Sequence, residues 1–284
     1  MATKIHPTAV ISPGAEIGNE VEIGPYAVVG SAVMIGDRTR IGPQVVLDGH
    51  TRIGQDNLIV GQANLGGPPQ DLSYKNEPTQ LEIGDRNTIR EFVTINRGTV
   101  KGGGCTKIGN DCLLMACCHV AHDCELSDKI IMGNNVLLAG HVKVERQSNI
   151  SGGAAAHHFV TIGAHAYVGG MTRMVQDVPP YVILEGHPSR VRGINVIGLQ
   201  RSGFAAEEVE RLRTAFRRIW RSGGTRKRTL TELQREMPGS EVIAHLVKSL
   251  ENTESGNKGR YREILREEFL RRGQERILAG ARPR

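Results

Sequence analysis

An aliphatic residue returns at every sixth position through most of the first 174 residues. Ile5, Ile11, Ile17, Ile23, Val29, Ile35, Ile41, Leu47, Ile53, Ile59 and Leu65 keep the interval, and glycine follows many of them, as at Gly18, Gly24 and Gly30. The period resumes at Ile83, Ile89 and Ile95, and again from Ile108 through Leu126, Leu138, Ile150 and Ile162 to Met174. A helix needs apolar residues every three to four positions and a half-buried strand every two, so neither explains a strict period of six. Short strands wound into a solenoid do: three hexads make one triangular coil, the aliphatic residue points inward, and coils stack about 4.8 Å apart by parallel pairing. Two residues ahead of each aliphatic position stands a small or branched one, such as Ala9, Ala15, Val21 and Ala27, suited to the tight corners of the prism. The expectation is an all-β parallel β-helix over residues 1–192, with loop excursions at 66–80 and 96–107, followed by a basic α-helical domain over 193–284.

The two excursions differ. In GGPPQDLSYKNEPTQ (66–80) the sixfold slots fall on Asp71 and Glu77, and Pro68, Pro69 and Pro78 argue for loop. Between Ile95 and Ile108 the gap is one residue out of phase, so this is a true insertion, and it holds Gly102, Gly103 and Gly104. A phosphate-binding P-loop would continue into a Lys-Ser/Thr helix start, which is missing. Past Met174 the helical period takes over. Val209, Leu212, Phe216, Ile219 and Trp220 form one apolar stripe; Ile243, Leu246, Val247 and Leu250 form another; Thr229 to Glu232 reads as a capping box; 251–259 reads as a linker before an amphipathic segment with Tyr261, Ile264, Leu265 and Phe269.

Net charge is +6, and it is uneven: from residue 196 onward 20 Lys and Arg face 12 Glu, which leaves the first 195 residues at −2. With aromatics at only 4% and no nucleic-acid motif, an acidic protein is the expected partner of the basic part, and nucleic acid is not. No apolar run reaches the roughly 20 residues of a bilayer span, and the N-terminus lacks a signal-peptide pattern, so a soluble cytoplasmic protein is expected. All five cysteines lie between 105 and 124, unlike a disulfide framework spread through a secreted fold.

MACCHVAHDC (115–124) looks metal-binding, but Cys112, Cys118 and Cys124 are six apart and belong to three different corners. Zinc ligands must converge on one ion, so no metal is expected there. Cys105 falls in the second loop. The histidines cluster instead: six of ten lie between 119 and 165. In the 18-residue frame His122, Gly140 and His158 share one column, and Asp123, His141 and Phe159 share the next. His122 is a natural general base near neutral pH, Asp123 can fix its tautomer, and the bare backbone of Gly140 can offer its N–H to an oxyanion. Base plus oxyanion donor points to acyl transfer onto a hydroxyl or amine. Solvated turn histidines are the plainer alternative for any one of them.

QDLSYKNEPT, IGDRNTIRE, RGTVKGGG, AHDC, LAGH, DVPPY and GLQRSGF occur in this order. Together they resemble the UDP-N-acetylglucosamine 3-O-acyltransferases, a family of hexapeptide-repeat transferases. The resemblance implies a left-handed β-helix and transfer of a 3-hydroxyacyl group from acyl carrier protein to the 3-hydroxyl of UDP-N-acetylglucosamine, the first step of lipid A synthesis. It implies no cofactor, and a homotrimer with active sites between subunits. By the same resemblance His122 is the general base, Asp123 orients it and Gly140 N–H stabilises the oxyanion. Gln70 and Asp71 contact the sugar nucleotide; His119, His141 and His157 line the cleft; Asn195 and Arg201 hold the uridine diphosphate; and the small Gly170 leaves room for a long acyl chain. The chain departs from the family pattern at Ser73, Ile197 and Ser202, where Lys, Glu and Arg are usual, and at His158, where Gln is. A coenzyme A-dependent or differently specific hexapeptide acyltransferase remains open on these residues. So do a zinc enzyme using His119, His122 and His141 or His157, and a non-catalytic binding protein.

Overall fold

A computed structural model describes residues 2–255. Among the described residues twenty-eight short strands form three sheets, the faces of a triangular prism. The first face has 11 strands and begins with Lys4–Ile5; the second has 9 and begins with Val10–Ile11; the third has 8 and begins with Glu16–Ile17. The coil strands pair in parallel with those a full coil later: Lys4 with Glu22, Val10 with Val28, Glu16 with Met34. The winding is the left-handed parallel β-helix.

The sixfold residues fill the prism. Leu47, Ile59, Leu65, Ile89, Leu114, Leu138 and Ile150 are all buried, and each such side chain removed from water stabilises the fold by roughly 1.5–3 kcal/mol. At the corner between the third and first faces the small-residue column turns polar and forms its own ladder. Asn57 N–H donates to Thr39 Oγ1 at 3.1 Å, Asn87 N–H to Asn57 Oδ1 at 2.9 Å, and Cys112 N–H to Asn87 Oδ1 at 2.8 Å. Each of these coils thereby satisfies a buried amide of the next.

Both excursions are shorter than expected, because their ends pair as strands. Asn64–Gly67 and Gln80–Ile83 confine the first loop to 68–79, and Thr94–Asn96 and Cys105–Ile108 confine the second to 97–104. Cys105 is thus in a strand, opposite Gln80, and not in a loop. The last coil strand, Arg173–Met174, is followed by Val182–Glu185, still parallel to its neighbour, and by the antiparallel Arg190–Ile194.

Four helices follow: α1 (Val196–Arg201), α2 (Ala206–Trp220), α3 (Arg226–Glu236) and α4 (Glu241–Glu254). Both expected stripes face inward, with Val209 and Leu212 buried in α2 and Ile243, Leu246, Val247 and Leu250 buried in α4. The capping box at Thr229 does not form. α3 begins three residues earlier, so the Thr229 hydroxyl bonds back to Thr225 O at 3.2 Å while Glu232 pairs with Arg228 and Arg218. Nor is 251–254 a linker: Thr253 Oγ1 donates to Asp177 Oδ2 at 3.0 Å and Glu254 meets Arg226 at 3.7 Å, which ties the last turn of α4 to the β-helix and to α3. Residues 256–259 of that linker and the segment with Tyr261, Ile264, Leu265 and Phe269 lie outside the described residues. Among the described residues no helix is long and apolar enough to cross a membrane.

Candidate active site at one corner of the prism

The corner between the second and third faces is made by turns 121–124, 139–142 and 157–160. Buried Cys124, Val142 and Val160 fill its inner side. The third residue of each turn is left-handed: Asp123 at φ 60°, His141 at 63° and Phe159 at 64°. Stacking three identical turns puts their side chains in line. His141 lies parallel to Phe159 with ring centroids 4.4 Å apart, and edge-on to His122 at 5.1 Å.

His122 and Asp123 are both buried, and His122 Nδ1 lies 2.8 Å from Asp123 Oδ2. His141 Nδ1 is 3.8 Å from the same oxygen. Thr99, from the second excursion, donates its N–H to Asp123 Oδ1 at 2.8 Å and its hydroxyl to Oδ2 at 2.6 Å. Burial alone would raise the Asp123 carboxyl, but the hydrogen bonds from His122 and Thr99 outweigh it and hold the group below its ordinary value. Burial, followed by the charge of His122, lowers His119, whose Nδ1 sits 2.7 Å from Thr94 Oγ1.

Gly140 stands one coil above His122. A Cβ there would lie 2.6 Å from His122 Cε1 and 2.8 Å from Nε2, so only glycine lets the ring lie against this turn. Among the described residues its N–H has no acceptor.

Gly66, in the strand that leads into the first excursion, has a φ of 82° and contacts with Thr51 and Asp48 that exclude a side chain. Asp71 Oδ1 accepts from both the N–H and the hydroxyl of Ser73 at 2.8 Å, and these bonds hold its carboxyl low, with smaller help from Lys101 and His122. Arg97 braces the loop, donating to Gly66 O at 2.7 Å and to the Tyr74 hydroxyl at 3.0 Å. Gln70 and His158 are exposed, and His157 is half-buried with its ring 5.3 Å from that of His158.

The remaining expected residues stand elsewhere on the chain. Asn195 caps α1 by accepting from Gly198 N–H and donates to His165 O at 2.9 Å. With Arg201, Lys129, Gln147 and Tyr167 it lines a cavity of about 720 Å³ at the corner between the third and first faces. Ile197 is exposed at its rim, and Ser202 accepts weakly from Gln147 at 3.5 Å. Gly170 belongs to the remaining corner, beside the exposed Met171. The chain thus gathers His122, Asp123, Gly140 and His141, and separates them from Asn195, Arg201 and Gly170.

His122, Asp123 and His141 bring one ligand atom each within 4.8 Å of one another, a different set from the one with His119 or His157. Both Asp123 oxygens already accept hydrogen bonds from Thr99, which leaves this carboxylate poorly suited to a cation. The cysteines are directed apart. Sγ of Cys112, Cys118 and Cys124 reach Ser127 O, Gly133 O and Ala139 O, and burial pushes their thiols up to about 11, 11 and 12. Sequence reasoning missed Thr99, Arg97, and Thr106, whose Oγ1 accepts from the Asp123 N–H at 2.8 Å. The out-of-phase insertion RGTVKGGG marked the place but not the carboxylate it clasps.

Residues 177–259 match the family model described as Udp N-acetylglucosamine O-acyltransferase, domain 2. An acyl-[acyl-carrier-protein]–UDP-N-acetylglucosamine O-acyltransferase of Burkholderia orbicola is 52% identical over 221 residues, covering 78% of this chain and 84% of the relative. The protein of that name from Paraburkholderia phymatum is 47% identical, covering 89% and 98%. The crystal structure of UDP-N-acetylglucosamine O-acyltransferase (LpxA) from Moraxella catarrhalis superposes with a TM-score of 0.85 at 40% identity, covering 88% of this chain and 97% of that one. The chain belongs to the acyl-[acyl-carrier-protein]–UDP-N-acetylglucosamine O-acyltransferase family.

Proposed function

We propose that this protein transfers a 3-hydroxyacyl group from acyl carrier protein to the 3-hydroxyl of UDP-N-acetylglucosamine, the opening step of lipid A synthesis, with His122 as general base. The observation that carries the reading is the pairing of His122 Nδ1 with Asp123 at 2.8 Å while Nε2 faces Gly140. Nε2 takes the proton of the sugar hydroxyl as its oxygen attacks the thioester carbonyl. Asp123 stabilises the imidazolium that forms, and the Gly140 N–H receives the oxyanion of the tetrahedral intermediate. Collapse expels the carrier-protein thiolate, and His122 returns the proton to it. General-base assistance of this kind contributes about 10²–10⁴-fold.

Asp71 and Gln70 orient the sugar, His119, His141, His157 and His158 border it, and Ser73 keeps the Asp71 carboxylate in place. Asn195 and Arg201 hold the uridine diphosphate, with Lys129 in the same cavity as a second cation. The nucleotide cavity and His122 meet only between subunits. Most outward residues of the third face are charged, with Lys107 paired to Glu82 and Lys143 to Glu125. Those of the other two are partly apolar and exposed, including Leu58 and Ile131 on the first and Val10 and Leu137 on the second. A first face packed on a neighbour's second face is a head-to-tail contact, and around a triangular prism it closes after three copies. It also brings the cavity beside Ile131 to the neighbour's His119 and His122. Homotrimer formation follows, and inactive His122→Ala subunits refolded together with inactive Arg201→Ala subunits regain turnover. The small Gly170 suits a long acyl chain. The unpaired cysteines of the described residues suit the reducing cytoplasm.

The test is incubation with UDP-N-acetylglucosamine and a series of 3-hydroxyacyl carrier proteins, with products resolved by mass spectrometry. An O-acylated sugar nucleotide, formed best with long donors, is expected. Acylation of another acceptor, or from coenzyme A alone, contradicts the reading.

A further inference from the structure

We propose that Thr99 is a positioning residue of the catalytic pair: its hydroxyl sets the direction of every proton from the second excursion to His122. The inference rests on His122 acting as the base. It explains why the insertion at 97–104 is there, which neither the repeat nor the acyl-transfer chemistry requires.

The proton order can be read from the donors. Thr99 caps the 3₁₀ turn Val100–Gly102, and its Oγ1 accepts from Gly102 N–H at 3.1 Å. A backbone N–H can only donate, so the single hydroxyl proton of Thr99 is free to go the other way, to Asp123 Oδ2 at 2.6 Å. Thr99 N–H meanwhile supplies Oδ1 at 2.8 Å. A buried carboxylate that accepts twice from one residue is held ionised. His122 Nδ1, 2.8 Å from Oδ2, then faces it as N–H, and the lone pair is left on Nε2, against Gly140. Were the tautomer reversed, Nε2 would carry the proton and His122 could not act as base.

The turn is built to close on Asp123. A Cβ on Gly102 would fall 1.9 Å from the Asp123 carboxyl carbon and 2.2 Å from each oxygen, so any side chain there pushes the clasp away. Asp123 N–H donates to Thr106 Oγ1 at 2.8 Å, from the strand that ends the excursion. Thr99 itself is 3% exposed, which keeps water from replacing its hydroxyl.

Thr99→Val keeps the shape and removes the hydroxyl; Thr99→Ser keeps the hydroxyl. For Thr99→Val, kcat falls about tenfold or more while KM for both substrates stays within about twofold, as expected for losing one charge-assisted hydrogen bond to the catalytic pair. Thr99→Ser restores kcat, and Gly102→Ala reproduces the Thr99→Val loss. Histidine ¹⁵N spectra read the Nδ1–H tautomer of His122 in the wild type without substrate and its weakening in Thr99→Val, so an inactive wild type would overturn the acyl-transfer reading and still leave this one tested. Unchanged kcat and an unchanged His122 tautomer in Thr99→Val overturn the proposal. So does an equal loss in Thr99→Ser, or an Nε2–H tautomer in the wild type.

Discussion

The same turn is used at two corners of this prism to opposite ends. Between the third and first faces its left-handed position holds Arg38, Asp56, Arg86 and Asp111, with φ between 55° and 57°. Between the second and third faces it holds Asp123, His141 and Phe159. Both columns stack side chains one coil apart. The first is an alternating charge ladder in solvent, where Arg38 Nε meets Asp56 at 2.7 Å and Arg86 Nε meets Asp111 at 2.8 Å, and solvent screening leaves such pairs little to contribute. The second is covered by the loop at 97–104 and turned from a ladder into a proton path. Backbone repetition supplies register; burial decides whether the charges do chemistry.

Changes at the covered corner therefore act on turnover, and changes in the exposed Arg–Asp ladder on almost nothing. Asp123→Asn leaves the geometry but removes the charge that stabilises the imidazolium, and kcat falls on the order of 10³-fold in the carrier-protein assay. Gly140→Ala places a methyl against the His122 ring and crowds the oxyanion donor, at a cost of about 10²-fold in kcat with the melting temperature little changed.

His165 sharpens the contrast, because it occupies the left-handed position of the ladder's own corner but is buried against Tyr181 and Phe204. Burial first, then Arg146 and His245, push its pKa down to about 4 from 6.5. The folded value lies below the unfolded one, so its stabilising effect is complete above pH 6.5 and is lost as pH falls toward 4. Thermal midpoints measured from pH 7 to 4 decline in the wild type and decline less in His165→Phe. The smallest effect is at the ladder, where Arg38→Ala shifts the midpoint by about 1 °C or less in 0.15 M salt. A larger loss there would erase the distinction between the corners.

The repeat made the prism legible, since a period of six has few physical solutions, and the 18-residue frame put His122 under Gly140 and Asp123 under His141 before any coordinates. Its reach ended where the chain left the repeat. Thr99 could not be paired with Asp123 from spacing, because the path of a glycine-rich insertion is set by what it packs against. Similarly, Thr229 has the sequence of a capping box, yet α3 starts at Arg226 because Leu230 and Leu233 must reach α2 and α4. The separation of Asn195 and Arg201 from His122 also lay beyond local pattern, being a property of which corner each coil reaches.

The most direct test is His122→Ala in the transfer of a 3-hydroxyacyl group from carrier protein to UDP-N-acetylglucosamine. Loss of turnover by roughly 10³-fold or more, with oligomeric state and melting temperature unchanged, is the predicted result. Turnover within tenfold of the wild type would contradict a histidine base at this corner.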